Sequence, residues 1–401
     1  MTHELLQRYQ STPRLFQLAD RIAMPLDEDS PSNKPQQIHL EGLRGSAPAF
    51  VTAAGFLHPS CTGLNHLIVL NDAEEAAYFH NTFEHLTGAL DIFYFPSSFK
   101  NRKNYRLLNS SHVMLRTEAL TKLAAGGNKK VLITYPEALF EKVVVPNALS
   151  SNIIQIKSGD TIDTAGLLLK LADYGFERTD FVYEPGQFAI RGGILDIYSF
   201  GNEKPYRVEL FGNEVDSIRI IDPETQLSER KLLQVSIIPN VDAQLDDEER
   251  VSIFDFLSDN TVLWLQDYEL CREKLRESWD DLDAFLALRR ETMEAGTKQE
   301  SAEDEDKLLK KDAGPQDFMT LEKFDEKITQ RHLVTFGHAS GQPSFTSPLV
   351  IDFTTREQPA FNRQFDLLIK DLKSWEDKGF QLFLFAENPR QLERLQTIFD
   401  D

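Results

Sequence analysis

From Ile38 onward, short apolar runs alternate with stretches in which apolar residues recur at helical spacing. Ile38–Leu43, His66–Leu70 (H-L-I-V-L), Asp91–Phe95 (D-I-F-Y-F) and Lys130–Tyr135 (K-V-L-I-T-Y) read as strands. Several are too uniformly apolar to have one wet face. Helices are predicted over Ala47–Leu57, from an Asp72 cap to about Leu86 with Glu74 and Glu75 in its positive first turn, and over Val113–Ala124. Ahead of this unit, residues 4–23 carry the apolar stripes Leu5, Leu6, Tyr9 and Leu15, Phe16, Leu18 of one or two helices, and Pro25–Gln37 is a polar linker. Strand–helix–strand repetition with buried strands predicts an α/β fold, a parallel sheet covered by helices.

After Pro146 the pattern changes. Asn152–Lys157 reads as a strand and Thr161–Gly175 as an amphipathic helix over Ile162, Leu167, Leu168, Leu171 and Tyr174. Two β-rich runs follow, Gly186–Tyr198 and Pro205–Val215, separated by the turn formers Gly201, Asn202 and Pro205, as in a hairpin or meander. By the two-residue period Arg207, Glu209 and Phe211 share one face, while Val208 and Leu210 take the other. The mixed face is either a solvated sheet surface or a docking surface. Glycines in or beside the strands (Gly186, Gly192, Gly193, Gly212) predict a bulge or a close backbone approach. Strict alternation sets Arg191 beside Leu195 and Ile197 on the apolar side, so a bulge at Gly192-Gly193 is needed to turn it outward.

The remainder returns to the first texture. Asp242–Phe256 reads as an acidic helix start. Its Asp247-Glu248-Glu249-Arg250 has the letters of a helicase Walker B motif, but no apolar strand precedes it. Asn260–Leu265, Arg331–Phe336, Leu349–Phe353 and Phe380–Phe385 read as strands; Tyr268–Ala295, Gln364–Lys378 and Asn388–Phe399 read as helices. The stretch 296–318, with acidic residues against Lys307, Lys310 and Lys311, reads as a flexible connection or an exposed helix. The expected plan is a body of residues 1–150 and 241–401 with an α+β module, 151–240, inserted between them.

Composition narrows the function classes. Of the 401 residues, 41% are hydrophobic and 27% charged, as in folded chains. The chain holds no apolar run of membrane-spanning length and no secretory signal at its start, which predicts a cytoplasmic protein without a membrane partner. Its 2 cysteines, Cys61 and Cys271, suit a reducing compartment and make no zinc or disulfide pattern. A formal net charge of −21 opposes non-specific binding to nucleic acid and favours basic patches on partners. No H-E-x-x-H, Cys cluster, G-x-S-x-G or paired-acid motif is present, so neither a catalytic nor a metal-ligating residue is assigned. His80 and His85 read as surface or packing residues.

The first strand–helix turn admits a chemical test. A phosphate-binding loop reads G-x-x-x-x-G-K-[ST] between a strand and a helix. Here the turn reads Gly42-Leu43-Arg44-Gly45-Ser46-Ala47-Pro48-Ala49. Ala47 stands where the second glycine is needed, Pro48 where the lysine is, and Ala49 where a hydroxyl would hold magnesium. Nothing neutralises the terminal phosphates or binds the metal, and proline removes an amide donor. Arg44 lies on the wrong side of the turn to replace the lysine. A second candidate, Pro96–Ser111, combines Lys100, Arg102, Lys103 and Arg106 with Phe99 and Tyr105. It has the composition of a small nucleic-acid patch, but the acidic background favours a basic surface loop.

The residues around the β-rich module carry a family resemblance. E-P-G-Q-F-A-I-R-G-G-I-L-D-I-Y, then P-Y-R-V-E-L-F-G-N-E-V-D-S-I-R and Asp222–Ser228 (D-P-E-T-Q-L-S), resemble the domain with which UvrB and the transcription-repair coupling factors (Mfd) bind UvrA. UvrB keeps a working phosphate loop and a tyrosine-rich β-hairpin. The decayed turn and a stretch 96–111 without a tyrosine cluster instead resemble the N-terminal, UvrB-like region of transcription-repair coupling factors. The resemblance implies a degenerate P-loop, RecA-like body (UvrB domains 1a and 1b) with an inserted domain-2-like module. It implies UvrA contacts at Arg191, Arg207 and Phe211, supported by Gly186, Gly192, Gly193, Asp196, Glu209 and Gly212. Arg191 could instead serve an internal salt bridge and Phe211 the core. The degenerate nucleotide site, expected not to bind, comprises Gly42, Gly45, Ser46, Ala47, Pro48 and Ala49. The resemblance further implies a non-enzymatic, UvrA-recruiting piece of a longer protein, without cofactor. In that family ATP and magnesium belong to motor domains elsewhere, and RNA polymerase and double-stranded DNA bind other regions. The alternative is a UvrB-type damage-recognition protein with residual nucleotide or DNA binding.

Overall fold

The computed structural model describes residues 2–26, 34–89, 91–145, 147, 151–239, 250–294, 313–337, 348–356, 359–361, 364–383 and 389–400. Its body is a seven-stranded, wholly parallel sheet. In spatial order the strands are Leu349–Asp352, Gln37–Glu41, Leu333–Phe336, Thr261–Gln266, Asn65–Val69, Val131–Thr134 and Ile92–Tyr94. The strand Asn65–Val69 is buried at every position, as a parallel strand covered on both faces must be. Residues from both halves of the chain interleave in this sheet, so the body is composite, as expected.

Local signals set the helices. Thr12 and Asp72 cap the helices Pro13–Ile22 and Ala73–Thr87 by accepting from the backbone N–H of Leu15 and Glu75. Gly88, at φ 60°, closes the second of these in the left-handed conformation. The body core includes the fully buried Trp264, whose Nε1–H donates to His66 Nδ1 at 2.9 Å. Burial lowers the His66 pKa to about 3. Both cysteines are buried, and burial pushes the Cys61 thiol up to about 12, so neither is a ready nucleophile.

The module enters and leaves through adjacent strands. Ile154–Lys157 pairs antiparallel with Gln234–Ile237, and just outside it Val143–Val144 pairs with Arg250–Val251. Between them lies a six-stranded sheet in the order Ser228–Leu232, Glu214–Ile221, Tyr206–Phe211, Ile194–Ile197, Gln187–Arg191, Glu177–Arg178. It is antiparallel except for its last pair. The helix Thr164–Asp173 buries Leu167 and Leu171.

Three expectations are corrected. Phe380–Phe385 is not a strand where described: residues 380–383 form no ladder, and Phe380 is exposed, folding back edge-on to Trp375 with ring centroids 4.9 Å apart. The described end of the 296–318 connection is only partly solvated: Pro315 and Gln316 are exposed, but Ala313 and Phe318 are buried. Phe318 stacks on Phe140 at 4.6 Å, and the next residue, Met319, accepts through its carbonyl from Trp279 Nε1 of the long helix Tyr268–Glu294. Residues 295–312, like the Asp247–Glu249 acidic run, lie outside the described residues.

The basic stretch, read as a surface loop, is instead a short hairpin, Phe99–Asn101 with Asn104–Leu108. Phe99 and Tyr105 are core residues, and Tyr105 Oη donates to Ser278 O at 2.9 Å. Arg102 pairs with Glu277 at 2.5 Å, Asp281 at 3.1 Å and Glu137 at 3.7 Å. The aromatics therefore hold the hairpin to the long helix, and its central cation is neutralised there.

Candidate docking face

The two-residue turn Gly192-Gly193 decides the face. It joins Gln187–Arg191 to Ile194–Ile197 with Arg191 opposite Ile194, Ile190 opposite Leu195 and Ala189 opposite Asp196. Directly opposed residues point to the same side of a sheet. Arg191 thus shares its side with Ile194 and Asp196, and not with Leu195 and Ile197. The next pairings add Arg207 opposite Asp196 and Glu209 opposite Ile194. The expectation that Arg191 needs a bulge at Gly192-Gly193 fails because alternation was counted straight through a turn, and a two-residue turn reverses the count. The register shift lies one pairing further on, where Asp216 is the extra residue of Glu214–Ile221 opposite the Glu209–Leu210 step of Tyr206–Phe211. Gly193 meets the latter strand closely: Leu210 N donates to Gly193 O at 2.6 Å, and a Cβ on Gly193 would lie 2.6 Å from Leu210 O. Gly186 has a similar constraint, since its φ is +88° and a Cβ there would enter the Phe200 ring.

Asp196 is the centre of the arrangement. Its side chain is fully buried, and it accepts from Arg207 Nε at 2.7 Å, from Arg207 Nη2 at 2.9 Å and from Arg191 Nη2. This fork-to-fork pair is the strong geometry for guanidinium and carboxylate. The hydrogen bonds to Asp196 hold the Arg207 pKa above its ordinary value. Arg207 Nη1 also donates to Gln226 O at 3.2 Å, and Arg191 Nη1 donates to Asp180 O. Glu209 faces Arg219 at 3.5 Å. Arg191 and Arg207 therefore do serve an internal salt bridge, while retaining 33% and 15% side-chain exposure. Phe211 lies beyond the register shift and is 84% exposed, so the core alternative for it is excluded.

Two loops border this face: 222–228, already part of the family resemblance, and 179–184, which the sequence reading missed. Residues 179–184 and 222–228 cover a small separate core of Val182, Ala189, Tyr198 and Ile221, and Gln226 Nε2 donates to Val182 O at 3.0 Å to join them. Gln226 takes a left-handed backbone at φ 59° to do so. The loops leave Phe181, Tyr183 and Leu227 exposed at 43%, 58% and 68%. The signal available was Phe181-Val182-Tyr183, an apolar run ahead of the turn Pro185-Gly186.

The decayed phosphate turn sits at the carboxyl end of the parallel sheet, where open α/β folds place ligands. Gly45, Ser46, Pro48 and Ala49 line a cavity of about 390 Å³ with Leu70, Glu75, Tyr78, Phe79, Thr82, Gln266 and Phe336. Arg44 is not in this lining. Thr355 Oγ1 and Arg44 N hold the turn from outside, and Ala47 N, an amide a phosphate would need, donates to Arg44 O at 3.1 Å. Gly42, at φ +69°, is pressed against Asp352 and Thr354. Among the described residues no group of acidic, histidine or cysteine side chains could hold a metal, and no helix is long and apolar enough to cross a membrane.

The module that carries the charged face matches the family model described as the UvrB interaction domain, over residues 154–242. Similarity extends well beyond it. A transcription-repair-coupling factor of Staphylococcus epidermidis is 25% identical over 415 aligned residues, covering 91% of this chain. That of Bacillus subtilis is 23% identical over 71% of the chain. The chain is homologous to transcription-repair-coupling factors over most of its length. It spans about a third of the length of these relatives, 34% and 28%. Identity is higher over shorter stretches, 34% over 122 residues for the coupling factor of Borreliella burgdorferi. The alignment to the Staphylococcus epidermidis relative covers 91% of the chain and therefore includes residues of both sheets.

Proposed function

We propose that this chain supplies the UvrA-recruiting surface of a transcription-repair coupling factor, acting in transcription-coupled nucleotide excision repair once a stalled RNA polymerase is displaced. The observation that carries the reading is the gathering of Arg191 and Arg207 around buried Asp196, beside the 84% exposed Phe211, within the module matched as a UvrB interaction domain. Arginine forks recognise carboxylates, and an exposed aromatic fills a pocket on a partner. In this reading the chain is a binding module and not an enzyme. It uses no cofactor, and ATP with magnesium serves motor domains elsewhere in a longer protein. The test is a calorimetric titration of UvrA into the chain and into the Arg191/Arg207/Phe211 triple alanine variant. Tight binding by the first and none by the second is expected; equal affinities overturn the reading.

A further inference from the structure

We propose that the segment Asp180–Glu184 forms a second half of the docking face, with Phe181 and Tyr183 as aromatic anchors, and that the whole face takes a partner surface offering a carboxylate flanked by apolar side chains. This inference rests on the reading that the face binds UvrA and specifies what UvrA must present.

The segment is held from every side. Arg191 Nη1 donates to Asp180 O, and the Arg191 guanidinium lies over the Phe181 ring, 4.5 Å from its centroid. Gln187 Oε1 accepts from Tyr183 N at 2.8 Å and Glu184 N at 3.1 Å. Thr179 Oγ1 donates to Phe181 O at 2.8 Å, and Gln226 Nε2 donates to Val182 O at 3.0 Å. Val182 points inward and is fully buried, which sends its neighbours Phe181 and Tyr183 outward. The loop thus shows two large aromatics in a fixed backbone, so little ordering entropy remains to be lost on binding. Exposed aromatics beside arginine are the composition of an interface core.

Charge selects the partner. Arg191 and Arg207 share one carboxylate, Asp196, while Arg219 and Glu209 offset each other. One positive charge is left over at the Arg191–Asp196–Arg207 cluster, within a chain whose net charge is −21. Each guanidinium also carries more N–H donors than its contacts use. Asp180 and Glu184 bracket the loop, so an incoming carboxylate is accepted at the arginine pair and rejected at the loop's ends.

The test is titration of UvrA into four proteins: the unmodified chain, Tyr183→Ala, Phe181→Ala/Tyr183→Ala, and Phe211→Ala as reference. Tyr183 is exposed and its backbone makes the contacts, so Tyr183→Ala keeps the fold, checked by an unchanged circular dichroism melt. A weakening of about 5-fold to 30-fold is expected for Tyr183→Ala, and more for the double variant. If Phe211→Ala weakens binding while both loop variants stay within about twofold, the second half of the face is wrong and UvrA binding stands. If all variants, Phe211→Ala included, bind like the unmodified chain, both readings fall. Raising salt tenfold should weaken the unmodified pair by about 10-fold; salt-insensitive binding overturns the carboxylate.

Discussion

Two polar places in this chain look alike in the sequence and differ in what they leave over. The turn Gly42–Ala49 occupies the standard ligand position of a parallel sheet, yet its groups are spent internally: Ala47 N on Arg44 O, Arg44 N on Thr355, and Gly42 against Asp352. The charged face of the inserted sheet is also paired internally, through Asp196, but two arginines share that carboxylate. A site is therefore not marked by position or by the presence of polar groups. It is marked by what stays unbalanced after the fold has satisfied itself.

The strongest way to break this contrast is to remove the shared carboxylate. Asp196→Ala leaves two partly buried guanidiniums without their common partner, and a loss of about 3 kcal/mol of module stability is expected by urea denaturation followed by circular dichroism. A loss near zero would mean that solvent replaces Asp196 and the face is not preorganised.

Acid should separate the regions next. None of the 9 histidines lies in residues 151–240, whereas burial lowers the pKa of His66 to about 3 and also lowers those of His39, His112 and His332 in the body. The unfolded chain takes up these protons below pH 6.5, and the folded body takes them up only at lower pH. Histidine-linked stability is therefore complete above pH 6.5 and is lost as pH falls toward about 3, by about 1.4 kcal/mol per pH unit for His66 alone. None of the 3 tryptophans lies in residues 151–240, and Trp264 bonds His66 directly in the body core, so a change in tryptophan fluorescence should report body unfolding. A body no less stable at pH 5 than at pH 7 would contradict this.

Phe211→Ala sharpens the contrast between fold and function. Stability should move by less than about 0.5 kcal/mol, since the ring is exposed. UvrA affinity should fall by about 1–3 kcal/mol, read in the same titration that tests the face. The smallest effect is expected at the decayed turn. MgATP should give no saturable heat up to about 1 mM, and Pro48→Lys should not create a site. Tight MgATP binding by either protein would put a working nucleotide site back in the body.

Much of the fold was legible because it is written locally. Buried strands such as His66–Leu70 and the Asp72 cap each follow from neighbouring residues. Phe99, Tyr105 and Phe318 were less so: aromatics in basic or acidic surroundings read as surface, and only their meeting with Phe140 and the helix Tyr268–Glu294 makes them core. Phe181 and Tyr183 were not singled out in the sequence at all. The loop that carries them is tied down by Gln226, 44 positions beyond Val182, whose Nε2 donates to Val182 O.

The sequence by itself determined the alternation within each strand, the loss of lysine and hydroxyl at Pro48 and Ala49, and the three residue types of the docking face. These are properties of adjacent residues and of side-chain chemistry. The tertiary structure decided how those strands face one another. Arg191 joins Arg207 because a two-residue turn reverses the count between strands, Phe211 projects because the strand that carries Asp196 ends opposite Glu209, and Asp196 lies between the arginines because both neighbouring strands pair with its own. Alternation is fixed by the backbone within a strand, whereas register depends on turn length and on partners remote in sequence.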